Sequence, residues 1–340
     1  MRVPRLAALC CCSLLLAARQ VMGGADPVAE NCRAIDAKPP AEPRLTGPLA
    51  PAALPGCSAE ALYYGYGSKP DYAAALQCAW YERAHQDPQR ADIFAGPGVL
   101  SMLYANGRGT ARNIDLAKQF TCEQSWAAPA ETADRLLHLE AMRDDGDPAA
   151  PFDLCDDATS GLTSGFCASV GGRLADDTRE VQLSRIAAAL TPAQRQLYEK
   201  LRAAEGRFEE ARGNEVDMTG TLRLAFAVDD RTRLRDQFLI NLQRFSRGDV
   251  PAADAAAAAA LDAQMNERYQ KIMHAPERTF AGTTVNAAGI RDTQRAWLPL
   301  RDAWLEFAAA TYPRLTRERV LAQLLRLRLG QLRRLPIDLQ

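Results

Sequence analysis

Histidine is scarce in this chain, with three in 340 residues, at positions 85, 138 and 274. Their spacing is not that of metal ligands, so a zinc-type centre is not expected, and no cofactor is either. Aromatic residues are few, at 7%. Val, Ile and Thr never gather into alternating runs, which excludes a sheet-based fold and leaves an all-α chain. The formal charge is −1, without the basic excess of a general nucleic-acid binder. No Gly-x-Ser-x-Gly elbow and no phosphate loop occurs, so neither acyl-transfer nor nucleotide chemistry has a place to sit. The sequence offers no catalytic residue, and we read it as a non-enzyme.

What is present begins with a leader. Arg2 and Arg5 precede LAALCCCSLLLAA, an apolar run of 13 residues. That is short for a membrane span and right for a secretory signal covering residues 1–25. A lipid-attachment box would need a small residue before its cysteine, but Leu9 precedes Cys10 and cysteines precede Cys11 and Cys12. Six cysteines follow the leader: Cys32, Cys57, Cys78, Cys122, Cys155 and Cys167. An even count in an exported chain favours three disulfides, and six cysteines allow 15 connectivities. Cys155 with Cys167 is the first expectation, as the closest pair in sequence. Cys57 with Cys78 is the second, as the two ends of a helical hairpin. Cys32 is expected to tie down the tail on which it lies.

The charge is unevenly spread. Residues 26–150 hold 17 acidic and 11 basic side chains, whereas residues 251–340 hold 9 and 13. An acidic front and a basic back attract partners of opposite sign. Residues 26–56 are rich in Pro and Ala without a period, and read as a linker or extended tail. Residues 57–146 hold two helix–turn–helix stretches about 40 residues apart. Gly65 and Gly67 mark the turn of one, Gly107 and Gly109 the turn of the other, with Ala75 and Ala117 on the second helices. Residues 147–250 form a connecting region. In it Asp156 and Asp157 point about 100° apart on any helix, and read as a solvated turn or helix start. Thr191, Pro192 and Gln194 form a strong helix start. Beyond it, Leu224, Phe226, Leu234, Phe238, Leu242 and Phe245 are the expected apolar side of a further helix, ended by Gly248.

Residues 251–340 hold a helix over 252–275, a loop, a helix capped by Asn286, and a basic terminal helix capped by Thr316. Ile290, Trp297 and Trp304 recur every seven residues as a core seam. Pro299 lies inside that helix and should kink it. The terminal helix, with Val320, Leu324 and Leu327 as its apolar face, is expected to dock onto the domain. The expected architecture is a short helical-hairpin repeat region packed on or followed by an antiparallel helical bundle.

Two resemblances add function. Leu100, Leu103 and Tyr104 followed by Gly107 and Gly109 resemble the Sel-one-like repeats, relatives of the tetratricopeptide repeat, which bind proteins. LDAQMNERYQKIM and QRAWLPLRDAW resemble the LprI-type lysozyme-inhibitor domain, a small helical unit. Met265, Asn266 and Tyr269 carry its first part. Gln294, Arg295, Trp297, Leu298, Arg301 and Asp302 carry the second. The cysteine often found soon after Arg-Asp in that family is missing here, and Trp304 follows instead. Arg301 and Asp302 are expected to pair with neighbouring helices. The resemblance implies a periplasmic or secreted protein whose partner is another protein, with lysozyme the first choice. A periplasmic scaffold or assembly factor acting through the repeats is the alternative.

Overall fold

The computed structural model describes residues 27–42, 57–87, 89, 92–144 and 151–338. The leader and residues 43–56 of the Pro/Ala-rich tail lie outside the described residues. Every regular element described is helical, so the chain is all-α. Helix α1 spans Pro27–Ala37. This corrects part of the linker reading: Pro27 occupies the first helical position, where its missing N–H costs nothing. Helices α2 (Ala59–Tyr64) and α3 (Tyr72–Ala84) form one hairpin, α4 (Gly96–Asn106) and α5 (Ile114–Cys122) the next, and α6 (Pro129–Asp144) follows. Gly65, Gly67, Gly107 and Gly109 all have positive φ, at 74°, 68°, 63° and 68°. Both hairpins therefore turn by the same left-handed backbone that glycine adopts without strain. Asp71 and Asn113 then cap α3 and α5, accepting from Ala74 N at 2.9 Å and Leu116 N at 3.1 Å.

The three disulfides all lie in this half. Cys57–Cys78 and Cys155–Cys167 are the two pairs expected, and Cys32–Cys122 pins α1 to the end of α5. A first core gathers around Leu100, Leu103, Tyr104, Phe120 and Phe152.

Helix α7 (Gly161–Ala188) leads out of that core. It contributes Val170 to the first core and Leu183 to a second. The second core is built with α8 (Pro192–Arg212), α9 (Arg223–Arg247), α10 (Ala255–Met273), α11 (Ala287–Thr311) and α12 (Arg317–Arg333). The expected starts are in place: a reciprocal Thr191–Gln194 capping box, Asn286 accepting from Gly289 N at 2.9 Å, and Thr316 ahead of α12. Gly248, with φ of 70°, ends α9.

α8 and α11 run antiparallel, joined by Lys200–Glu306 and by Thr293 donating to the Ala211 carbonyl. α10 and α12 run the same way: Arg319, near the start of α12, reaches the Gly248 carbonyl just ahead of α10, and Arg268, late in α10, reaches the Leu332 carbonyl at the end of α12. α7 and α9 run the same way, because Gly161 meets Thr221, Gly165 meets Leu224 and Gln182 meets Gln243 in register. Gly161 and Gly165, which a propensity argument would keep out of a helix, let α9 approach α7 closely. Trp304 fills the centre, ringed by Phe238 at 5.1 Å, Phe245 at 5.3 Å and Phe307 at 6.4 Å.

α11 runs on through Pro299, which is exposed. Two expectations need correction. Leu224 and Phe226 are not core residues: they are 43% and 54% exposed, since the first turns of α9 lie against α7 and leave the other side open. Leu234, Phe238, Leu242 and Phe245 are buried as expected. The second concerns Arg301, which bonds its neighbour Asp302 at 2.9 Å and not another helix.

Candidate functional site

The motif residues on α10 and α11 separate into a buried set and a surface set. Gln294 and Trp297 are buried. Gln294 accepts from Arg328 Nε at 2.9 Å, and its amide lies 3.9 Å from the Met265 sulfur. Arg328 in turn forms a two-point pair with Glu215, Nη1 to Oε2 at 2.9 Å and Nη2 to Oε1 at 2.6 Å. Both side chains are fully buried. Arg212 approaches the same carboxylate at 3.2 Å and holds Asp230 at 3.1 Å. Burial pulls the Arg212 guanidinium below its ordinary value, and Glu215 and Asp230 oppose that. The Arg328 guanidinium also lies over the Phe208 ring, 5.8 Å from its centre. The motif glutamine thus serves a charged network that joins α8, α11 and α12.

Neither Arg328 nor Glu215 was singled out from sequence. A signal existed for one of them: Arg328 continues the apolar stripe of Val320 and Leu324 at spacings of four, where a charge demands a buried partner.

The surface set comprises Asn266, Arg295 and Asp302, which are exposed, and Tyr269 and Arg301, which are half-buried. Asn266 bonds Asp262 at 3.0 Å, and Arg295 lies 3.5 Å from Asp292. Arg301 sits over the Trp297 ring at 5.6 Å. Leu298 is 39% exposed beside them. Arg295, Leu298 and Asp302, three and four residues apart, share one exposed face of α11.

Between α7, α8 and α9 lies a cleft of about 520 Å³, lined by Asp176, Arg179, Glu205, Glu209 and Arg235 among others. Arg179 bonds Asp176 and Asp236, and Arg235 bonds Glu209 and Asp176. Glu205 has no ionic partner among the described residues. Burial, reinforced by the Glu209 carboxylate, pushes its pKa up from 4.5 to about 8. A carboxyl whose folded pKa is raised contributes full stability below its unfolded value. That contribution is lost as pH climbs through the folded value. Glu205→Gln should therefore stabilise the protein by about 1–2 kcal/mol at pH 8.5 and by almost nothing at pH 4. Urea unfolding at the two pH values measures this; an equal effect at both would refute it.

The expected disulfide cysteines are all bonded. Cys57, Cys78 and Glu82 lie within reach of one ion, but the two sulfurs are bonded to each other and offer no thiolate. Asp156 and Asp157 form no joint site: Asp157 faces His138 at 3.2 Å, and Asp156 accepts from Asp153 N at 3.1 Å.

The structure thus defines an all-helical, disulfide-braced protein whose C-terminal helices are organised around the motif residues. Residues 250–332 match the family described as Lysozyme inhibitor LprI, so this stretch is an LprI-type domain. That family is one of inhibitors, not enzymes. No curated protein matches the chain. No solved structure matches it either.

Proposed function

We propose that this is an exported protein that binds another protein, and that the partner is a lysozyme-type cell-wall hydrolase whose activity it blocks. The observation that carries the reading is the LprI match over residues 250–332. Three disulfides fit an oxidising compartment, periplasmic or extracellular. No helix among the described residues is long and apolar enough to cross a membrane. The exposed face of α11 that carries Arg295, Leu298 and Asp302, together with Asn266 exposed on α10, supplies groups for a partner to contact.

The test is a cell-wall lysis assay with several lysozyme types, with and without the oxidised protein. The expected result is dose-dependent inhibition complete near one inhibitor per enzyme. Absence of inhibition of every type would refute the reading. It would favour the second one, a periplasmic scaffold acting through the two N-terminal hairpins, for which their matching glycine turns speak.

A further inference from the structure

The molecule's charge asymmetry has a structural counterpart far from the LprI-type domain. A groove of about 760 Å³ opens on the N-terminal half, between α2, α3, the start of α4 and the α5–α6 turn. Among the described residues five carboxylates line it, from Glu60, Glu82, Asp87, Asp92 and Glu123, against the guanidinium of Arg173. Arg173 is already paired with Glu60 at 3.2 Å, and Glu123 with Arg83 at 2.6 Å. Asp87 and Asp92 meet no cation among the described residues. Each is instead fixed by a backbone amide, Gln89 N at 2.9 Å and Phe94 N at 3.0 Å. Their charges are therefore held in place and, among the described residues, uncompensated.

A second observation points the same way. Trp126 lines the groove and is 40% exposed. No described ring or guanidinium covers its face, although an exposed tryptophan is an unusual use of so apolar a side chain. An indole face beside uncompensated carboxylates attracts a Lys or Arg side chain, by charge and by cation–π contact together.

We propose that this groove is the docking site for a lysine- or arginine-rich segment of a basic partner protein. The proposal builds on the protein-binding reading above and assigns the partner's charge to a place. It also resolves a mismatch: residues 251–340 are net positive and would repel a basic target, whereas residues 26–150 are net negative. The groove supplies the long-range attraction, and the LprI-type domain supplies the remaining contacts.

The experiment uses the full chain, a basic lysozyme, and a fluorescent decapeptide of alternating Lys and Gly. Asp87→Asn with Asp92→Asn removes the two uncompensated charges, and Trp126→Ala removes the indole. Glu267→Gln with Glu277→Gln, exposed on the other half, is the control of equal charge change. With lysozyme, the aspartate pair should slow association about tenfold at low salt and flatten its salt dependence, while the control changes it less than about twofold. Trp126→Ala should speed dissociation about tenfold. Equal association for both pairs of variants would overturn the proposal while leaving any inhibition intact. Should the wild-type chain bind no lysozyme, the lysozyme reading falls and the peptide alone decides the groove. Peptide binding lost in the aspartate variant supports it; no binding, or binding unchanged in that variant, overturns it. Unchanged helical circular dichroism and melting midpoint identify variants that still fold.

Discussion

Arg328→Met is expected to lower the stability of the protein by about 3–5 kcal/mol. The substitution keeps the volume and apolar stem but strips Glu215 of its two-point partner inside the second core. The Glu215 carboxylate would remain buried with Arg212 alone at 3.2 Å, and the Gln294 carbonyl would lose its donor. Leaving one charge of a buried pair is costly because the protein interior replaces little of the lost hydration. Arg328→Met combined with Glu215→Leu should recover most of the loss, since apolar replacement of a whole buried pair is often neutral. Urea denaturation followed by circular dichroism at pH 7 measures both. A single-variant loss below about 1 kcal/mol would mean that water reaches the pair.

The second large effect is expected from Gly109→Ala, at about 3 kcal/mol. Two costs combine there. With φ of 68°, an alanine is strained by about 1–2 kcal/mol. The added methyl would also run into the Tyr72 carbonyl at the start of α3, on the neighbouring hairpin. That backbone is held by the Asp71 cap and cannot yield freely, so overpacking adds about 1–3 kcal/mol. Gly67→Ala separates the costs: its φ is also 68°, but nothing lies within 4 Å of the added carbon. It should cost about 1–2 kcal/mol, and equal losses for both variants would show that the contact between hairpins is slack.

Much of this fold can be read from the sequence because the signals are local. Thr191 with Gln194 and Asn286 start helices through their own side chains, and the seven-residue recurrence of Ile290, Trp297 and Trp304 does mark a buried seam. The misreadings share a cause. Leu224 and Phe226 have the right period to be core, yet burial depends on how fully other helices cover them, and the packing of α7 leaves both largely exposed. Gly161 and Gly165 look like helix breakers because the helix that needs their small size, α9, begins about 60 residues later. The same distance hid the Arg328–Glu215 pair, which spans 113 residues. As for the surface set of the motif, the sequence named the residues but not which of them face out.

The network around Gln294 has a consequence for what counts as the unit of heredity here. The family match begins at residue 250, but Glu215 and Phe208 lie before it. So does α8, against which α11 packs along its length through Thr293 and Glu306. A chain cut to 250–332 would expose one flank of α11 and leave the Arg328 guanidinium without its Glu215 partner. The recognisable module is thus an incomplete solid, finished by a sheath that its own family signature does not include.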